Sequence, residues 1–151
     1  MNLVPEDFRT LMDVGMRIKE AVMASHPIDH PFEPDLGFLY GTIIVGEAHD
    51  PTNHSRNVCI FADGEVDRSP TGTGVSARAA LHHWKGELGA GETFTVESIL
   101  GTTFTGQVVE TTRVGPYEAV VPEVSGTSHI TGRNELLMDP NDPLKHGFIL
   151  R

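Results

Sequence analysis

The chain has little cysteine, little positive charge and no long apolar run. The single cysteine, Cys59, excludes an internal disulfide framework, so a reducing, cytoplasmic setting is expected. Its 11 basic residues against 21 acidic ones give a net charge of −10, which argues against a nucleic-acid surface because such a surface needs a basic stripe. No apolar run approaches the roughly 20 residues of a membrane span, and the first residues lack the basic and apolar pattern of a signal peptide. We therefore expect neither nucleic acid nor membrane as a partner.

The composition of the 151 residues suits one globular domain, residues 1–151, because 38% of them are hydrophobic. There is no internal repeat and no low-complexity segment. The eight histidines are scattered, without the cysteine or carboxylate spacing of a zinc site, so no metal is expected.

The periodicity predicts two helices and about six strands, which is an α+β pattern. Helical spacing of apolar residues covers residues 5–25, with Gly15 on the apolar face to permit close packing, and a second helical pattern covers residues 75–84. Strands are predicted at residues 38–47, 57–62, 93–99, 103–114, 117–124 and 129–137.

One polar, glycine-rich stretch organises the chain: residues 67–74, with the sequence Asp-Arg-Ser-Pro-Thr-Gly-Thr-Gly. It follows an apolar run and opens onto the second helical pattern. A glycine-rich turn that feeds a helix start presents free N–H groups where the helix dipole is positive, which favours binding of a carboxylate or a phosphate. The alternative is an ordinary tight turn and helix cap. The stretch is not a phosphate P-loop, because no lysine follows the glycines at the required spacing.

With the following Ser76-Ala77-Arg78, this stretch resembles the second active-site motif of the proline racemase family. The family includes proline racemases, hydroxyproline 2-epimerases and trans-3-hydroxy-L-proline dehydratases. Thr71 stands where racemases and epimerases carry a catalytic cysteine and where dehydratases carry threonine. A weaker resemblance runs from residues 14–19 to residues 142–148.

The resemblance also implies an incomplete site. Family members are about twice this length, and their first motif, Met-Ser-Cys-Gly-His, which carries the other catalytic residue, is absent here. The chain is therefore expected to correspond to the C-terminal half of a two-domain enzyme. For the fold, the resemblance implies a curved mixed sheet wrapped around a central helix, as in diaminopimelate epimerase. Either predicted helix, residues 5–25 or residues 75–84, fits the central position.

The family's pattern implies roles for five residues of this chain. The amides of Gly72 and Thr73 match the groups that hold the substrate carboxylate, and Asp67 matches the residue that holds the ring amine, a task that suits a carboxylate. Phe61 matches an aromatic residue beside the pyrrolidine ring, and Thr71 occupies the catalytic position. Without the resemblance, Asp67 is equally well a turn residue and Phe61 a core residue. Cys59, in a predicted buried strand, is expected to be a small core residue rather than a base.

Thr71 then decides between the activities of the family. A racemase needs an acid/base group on each face of Cα, and a threonine hydroxyl is far less acidic than a thiol. The resemblance therefore implies a cofactor-independent, metal-independent hydro-lyase that converts trans-3-hydroxy-L-proline to pyrroline-2-carboxylate, with the isolated chain inactive because it lacks the first-motif cysteine. The alternatives are a racemase or epimerase relative, and a non-catalytic truncated product that only binds a partner or an amino acid. Full-length relatives are expected to form homodimers.

Overall fold

The computed structural model describes residues 2–149, so Met1, Leu150 and Arg151 of the predicted 1–151 domain lie outside it. The described part is α+β, as the sequence predicts. A 3₁₀ turn at Pro5–Asp7 leads into helix α1, Phe8–Ser25, and the second helix, α2, is Gly72–Trp84. The strands are β1 (Gly41–Gly46), β2 (Ser55–Phe61), β3 (Glu65–Val66), β4 (Thr93–Glu97), β5 (Thr103–Val114) and β6 (Tyr117–Gly126).

The strands form one mixed sheet in the order β1-β2-β4-β5-β6, with the short β3 paired to β2. Strands β2 and β4 run parallel, with Ser55 opposite Val96, while the other pairs are antiparallel. In the part of the chain that the structure describes, β1 and β6 are the two edges, so the sheet is open. Neither of the two helices in that part is long and apolar enough to cross a membrane.

Helix α1 packs on one face of the sheet through a close contact at a glycine. Leu11 on the helix and Val58 and Ile60 on β2 are fully buried together. A Cβ atom at Gly15 would lie only 2.8 Å from Cβ of Ile60, so the helix approaches β2 this closely because Gly15 has no side chain. The role predicted for Gly15 is thereby confirmed.

Helix α2 packs on the opposite face. Its fully buried Val75 and Ala79 contact Phe94 and Val96 of β4 and Val108 of β5. Burying each large apolar side chain of this kind stabilises the fold by about 1.5–3 kcal/mol.

The contacts of α2 extend across the sheet and identify it as the central helix. A Cβ atom at Gly74 would lie within van der Waals radii of Ile43 Cδ1, so α2 touches edge strand β1 here. A Cβ atom at Gly106 of β5 would meet Val75 at 2.7 Å, and the helix also contacts β6. Helix α1, by contrast, contacts β1, β2 and β3. The choice that the sequence left open is thus settled in favour of α2.

A buried ion pair fastens the end of β4 to β2 on the α1 face. Arg56 donates to Glu97 Oε2 from Nε at 2.9 Å and from Nη2 at 2.7 Å. Glu97 also accepts from the amides of His49 and Asp50 and from Asn53 Nδ2. Burial by itself raises the pKa of Glu97, but the hydrogen bonds from Asn53, the two amides and Arg56 outweigh it and lower the pKa from 4.5 to about 2. This carboxylate therefore anchors the loop between β1 and β2.

The sequence prediction is wrong at residues 129–137, which form no strand. Ile130, Leu136 and Leu137 are at least 90% exposed, and no neighbouring strand pairs with this segment within the described residues. Strand propensity reflects packing against neighbours, and here β6 has no partner on that side. The short β3 was not predicted, β2 begins two residues earlier than predicted, and α2 begins at Gly72 rather than at residue 75.

Candidate active site

The loop before α2 is held by hydrogen bonds among its own side chains. The amide of Ser69 donates to Asp67 Oδ1 at 2.8 Å, and the hydroxyl of Thr71 donates to Asp67 Oδ2 at 2.8 Å. The amide of Thr71 in turn donates to Ser69 Oγ at 3.0 Å. Asp67 thus acts as the local acceptor that fixes the Thr71 side chain, and the remaining lone pairs of its carboxylate stay available to a ligand.

Thr71 has an unusual backbone conformation, with φ 70° and ψ 103°. A β-branched residue at positive φ is a genuine outlier that costs on the order of 1–3 kcal/mol and persists only where its surroundings enforce it. Two hydrogen bonds, one on each side of Thr71, hold this conformation. Asn57 Nδ2 donates to the carbonyl of Pro70 at 3.1 Å, and the amide of Val75 donates to the carbonyl of Thr71 at 2.8 Å.

The start of α2 offers N–H groups to a ligand. Within residues 2–149, the amides of Gly72, Thr73 and Gly74 donate no hydrogen bond, and the positive end of the helix dipole lies at the same place. A Cβ atom at Gly72 would meet nothing within 4 Å, so Gly72 is open to an approaching group. Gly74 is different, because a Cβ atom there would collide with Ile43. Gly74 is needed for packing, whereas Gly72 is not.

A cavity of about 360 Å³ opens beside this helix start. Its wall includes the aromatic pair Tyr40 and Phe61, whose ring centroids are 5.8 Å apart, facing the polar groups of Asp67 and Thr71. The lining residues are Leu39, Tyr40, Gly41, Ile43, Cys59, Phe61, Asp67, Thr71, Thr73 and Gly74. A larger cleft of about 490 Å³ lies beside Trp84, but none of the motif residues lines it.

The structure brings the predicted site residues together. Phe61, Asp67, Thr71 and Thr73 all line this one cavity, and Gly72 adjoins it at the first position of α2. The roles assigned to these five residues remain predictions. The arrangement can hold a small zwitterion, with N–H groups for an anion, a carboxylate for a cation and aromatic rings for an apolar body.

Tyr40 and Cys59 are among the lining residues that sequence reasoning did not assign to the site. Cys59 is buried as predicted, but it lies two positions before Phe61 on the same strand, so the alternation of β2 places both on one face. Burial raises the pKa of the Cys59 thiol above its usual 9.0, the neighbouring Thr71 hydroxyl partly offsets this, and the charge of nearby Asp67 adds to it. The thiol is therefore protonated at neutral pH. Among the described residues, no group of three His, Cys, Asp or Glu side chains is arranged to hold a metal ion.

The α+β fold with one mixed sheet can be compared with the folds and sequences of known proteins. The family model described as proline racemase matches residues 1–149. The trans-3-hydroxy-L-proline dehydratase of Colwellia psychrerythraea is 46% identical over 100% of this chain and 42% of the relative. The proline racemase of Clostridioides difficile is 42% identical over 100% of this chain and 45% of the relative.

A solved structure of a related enzyme also matches this chain. The hydroxyproline epimerase of Agrobacterium vitis with bound trans-4-hydroxy-L-proline superposes with a TM-score of 0.85 at 32% identity, covering 99% of this chain and 43% of the epimerase. The chain thus belongs to the proline racemase family and has the fold of its members. It spans less than half the length of the curated relatives that it matches, corresponding to their C-terminal half.

Proposed function

We propose that this chain supplies the C-terminal half of the active site of a trans-3-hydroxy-L-proline dehydratase, a hydro-lyase that forms pyrroline-2-carboxylate. The observation that supports the proposal is the hydrogen bond that the Thr71 hydroxyl donates to Asp67 Oδ2 at 2.8 Å. The resemblance assigns Thr71 to the position of the second catalytic cysteine. A hydroxyl in this position is too weak an acid to exchange a proton with Cα as a thiol does. Chemistry on this face of the substrate is then limited to binding.

In the proposed complex, the substrate carboxylate lies on the free amides of Gly72 and Thr73 at the start of α2. The ring ammonium is held by Asp67, and the ring packs against Phe61. A base outside this chain, expected to be the first-motif cysteine, removes the Cα proton. The released electron pair forms a double bond between Cα and C3 as the C3–O bond breaks, and the leaving hydroxide takes up the proton that the base removed, so that water is released. The enamine then tautomerises to the cyclic imine. Thr71 and Asp67 orient the substrate during this step.

Two other functions remain candidates. A proline racemase or hydroxyproline epimerase activity is suggested by the relatives from Clostridioides difficile and Agrobacterium vitis. Thr71 argues against it, because racemisation needs a second acid/base group. A non-catalytic role in binding an amino acid or a partner is the other candidate, and the experiment below distinguishes it from catalysis.

The proposal further implies that residues 1–151 alone are inactive and that activity needs a segment equivalent to the rest of the relatives' length. Activity requires no added metal or cofactor in this proposal. Homodimer formation and a cytoplasmic location stay predictions, which gel filtration and cell fractionation test.

The decisive experiment is to incubate the chain with trans-3-hydroxy-L-proline, alone and with the N-terminal portion of the Colwellia relative, and to follow imine formation. We expect imine only in the mixture. Deuterium uptake at Cα of L-proline is followed in parallel, and D-proline formed by the wild-type mixture would contradict the role given to Thr71. Thr71→Cys is expected to gain that racemisation. Absence of both reactions, with the two polypeptides shown to associate, would favour the non-catalytic role.

Gly72→Ala gives a matched test of the carboxylate position. The added Cβ meets no atom of this chain within 4 Å, so we expect unchanged or slightly increased stability, by up to about 1 kcal/mol. Substrate affinity should fall, because the methyl group projects into the space where the carboxylate approaches. Undiminished affinity would place the carboxylate elsewhere.

A further inference from the structure

Arg78 of α2 is a buried cation without a carboxylate partner. It is 8% exposed, and within residues 2–149 no carboxylate oxygen lies within 4 Å of its guanidinium. Its Nη1 donates to Ser55 Oγ at 2.7 Å and to Asn57 Oδ1 at 2.8 Å, and its Nη2 lies 3.5 Å from His54 Nδ1 and 3.2 Å from His82 Nε2. Burying an unpaired charge is costly, so neutral acceptors in a fixed arrangement must compensate.

The guanidinium fixes the orientation of Asn57. Arginine can only donate hydrogen bonds, so the Asn57 side chain must present its oxygen to Arg78 and its NH₂ group to the other side. On that other side, Asn57 Nδ2 donates to the carbonyl of Pro70 at 3.1 Å. Asn57 is fully buried, as is Pro70, so no water competes for either group.

The bond to Pro70 acts directly on the peptide unit that precedes Thr71. Rotating Thr71 from φ 70° to a common negative φ would turn the Pro70–Thr71 peptide and move its carbonyl away from Asn57. The Asn57 amide thus opposes relaxation of the strained residue. From this geometry we propose that Arg78 and Asn57 are positioning residues that hold Thr71 in its left-handed conformation, so that its hydroxyl points to Asp67 in the substrate cavity. The functional part of this statement rests on the proposed function.

Asn57→Asp separates positioning from general stability. The carboxylate still accepts from Arg78 and even pairs with its charge, but it cannot donate to the carbonyl of Pro70. Ser55→Ala is the matched control, because it removes another acceptor of the same guanidinium and leaves the Pro70 bond intact.

Two nuclear magnetic resonance readouts on the isotopically labelled chain need no catalysis. The first is the three-bond HN–Hα coupling of Thr71, which reports φ. The second is hydrogen exchange of the Val75 amide, which donates to Thr71, relative to that of the Ala79 amide one turn further along α2. In Asn57→Asp we expect a changed coupling and Val75 exchange about fivefold to tenfold faster relative to Ala79, the size expected for one hydrogen bond.

Ser55→Ala should leave both the coupling and the exchange ratio unchanged, since general destabilisation accelerates both amides together. An unchanged coupling and ratio in folded Asn57→Asp, or an equal change in Ser55→Ala, overturns the proposal. If Asn57→Asp does not fold, Arg78→Lys provides the test. Its single ammonium cannot replace the planar guanidinium, and an unaltered Thr71 coupling in that folded variant overturns the proposal as well.

Failure of the proposed function is distinguishable from failure of this inference. If wild-type mixtures form no imine, the proposed dehydratase function is contradicted. The coupling of Thr71 still reports whether Asn57 holds the backbone conformation of Thr71. Imine formed equally fast by wild type and by an Asn57→Asp variant whose Thr71 coupling has changed overturns the positioning role.

Discussion

The two faces of strand β2 have different chemistry, although their residues alternate along one chain segment. On the α1 face, Val58 and Ile60 are fully buried against Leu11, and Arg56 pairs with Glu97. On the α2 face lie Ser55, Asn57, Cys59 and Phe61, which contact Arg78 or line the cavity beside Thr71. One face contributes core packing and a charged anchor, and the other supports the candidate site.

The difference shows why burial alone does not separate core from site in this protein. Asn57 is as completely buried as Val58, yet its polar atoms are both engaged, one by a helix and the other by the motif loop. Substitutions of the residues around the cavity on the α2 face should therefore change the site more than the stability. Substitutions on the α1 face should do the reverse.

The largest effect is expected for Asp67→Asn. The amide cannot pair with a ring ammonium by charge, and Thr71 loses its anionic acceptor, so imine formation by the complete enzyme should fall about tenfold to hundredfold, the value of a hydrogen bond to a charged group. Because Asp67 is only partly buried, the midpoint of urea unfolding should change little. Asp63→Asn, the same change at an exposed carboxylate, is the control. A large loss of stability without a loss of turnover would reverse the assignment of the two faces.

Much of this arrangement was predictable from the sequence. The glycine-rich turn before a helical pattern located the free amides of Gly72 and Thr73, and the motif located Asp67 and Thr71. The hydrogen bond between these last two residues was not predictable. This hydrogen bond depends on the positive φ of Thr71, and a β-branched residue adopts a positive φ only under tertiary constraint. The constraint comes through Asn57, which is distant in the sequence.

The sequence prediction of a strand at residues 129–137 was wrong, and Tyr40 and Cys59 were not assigned to the site, because neighbouring elements decide both outcomes. The apolar residues around Leu136 and Leu137 resemble a strand locally, but no sheet edge pairs with them in the described part of the chain. Tyr40 lines the cavity because it precedes β1, which pairs with β2 so that Gly41 lies opposite Phe61. Cys59 lines it because it lies on the same face of β2 as Phe61, and this two-residue spacing was the available signal.

The second-largest effect, a loss of stability on the α1 face, is expected for Gly15→Ala. An alanine in a helix ordinarily stabilises by about 1 kcal/mol relative to glycine, but here the new Cβ would lie 2.8 Å from Ile60 Cβ, tighter than side chains tolerate. We expect a net loss of about 1–3 kcal/mol in the free energy of unfolding, as for other overpacked cores, with turnover per folded molecule unchanged. Gly72→Ala, whose Cβ faces open space, is the contrasting control, because its stability should be unchanged or slightly increased. Stabilisation by Gly15→Ala would show that α1 does not approach β2 this closely.

The smallest effect concerns the charged anchor of the α1 face under mild acid. The pKa of Glu97 is lowered from 4.5 to about 2 in the folded chain, so its contribution to stability is complete above pH 4.5 and is lost as the pH falls toward 2. At pH 4 the loss from this group should be no more than about 1 kcal/mol, measured by urea unfolding between pH 7 and pH 2. Glu97→Gln starts from a lower stability because Arg56 loses its charged partner, but its stability should decline less steeply below pH 4.5. Parallel curves of stability against pH for the two proteins would mean that the hydrogen bonds from Asn53, His49 and Asp50 do not hold Glu97 in its charged form. The α1 face would then be held by the packing of Leu11 and Ile60 alone.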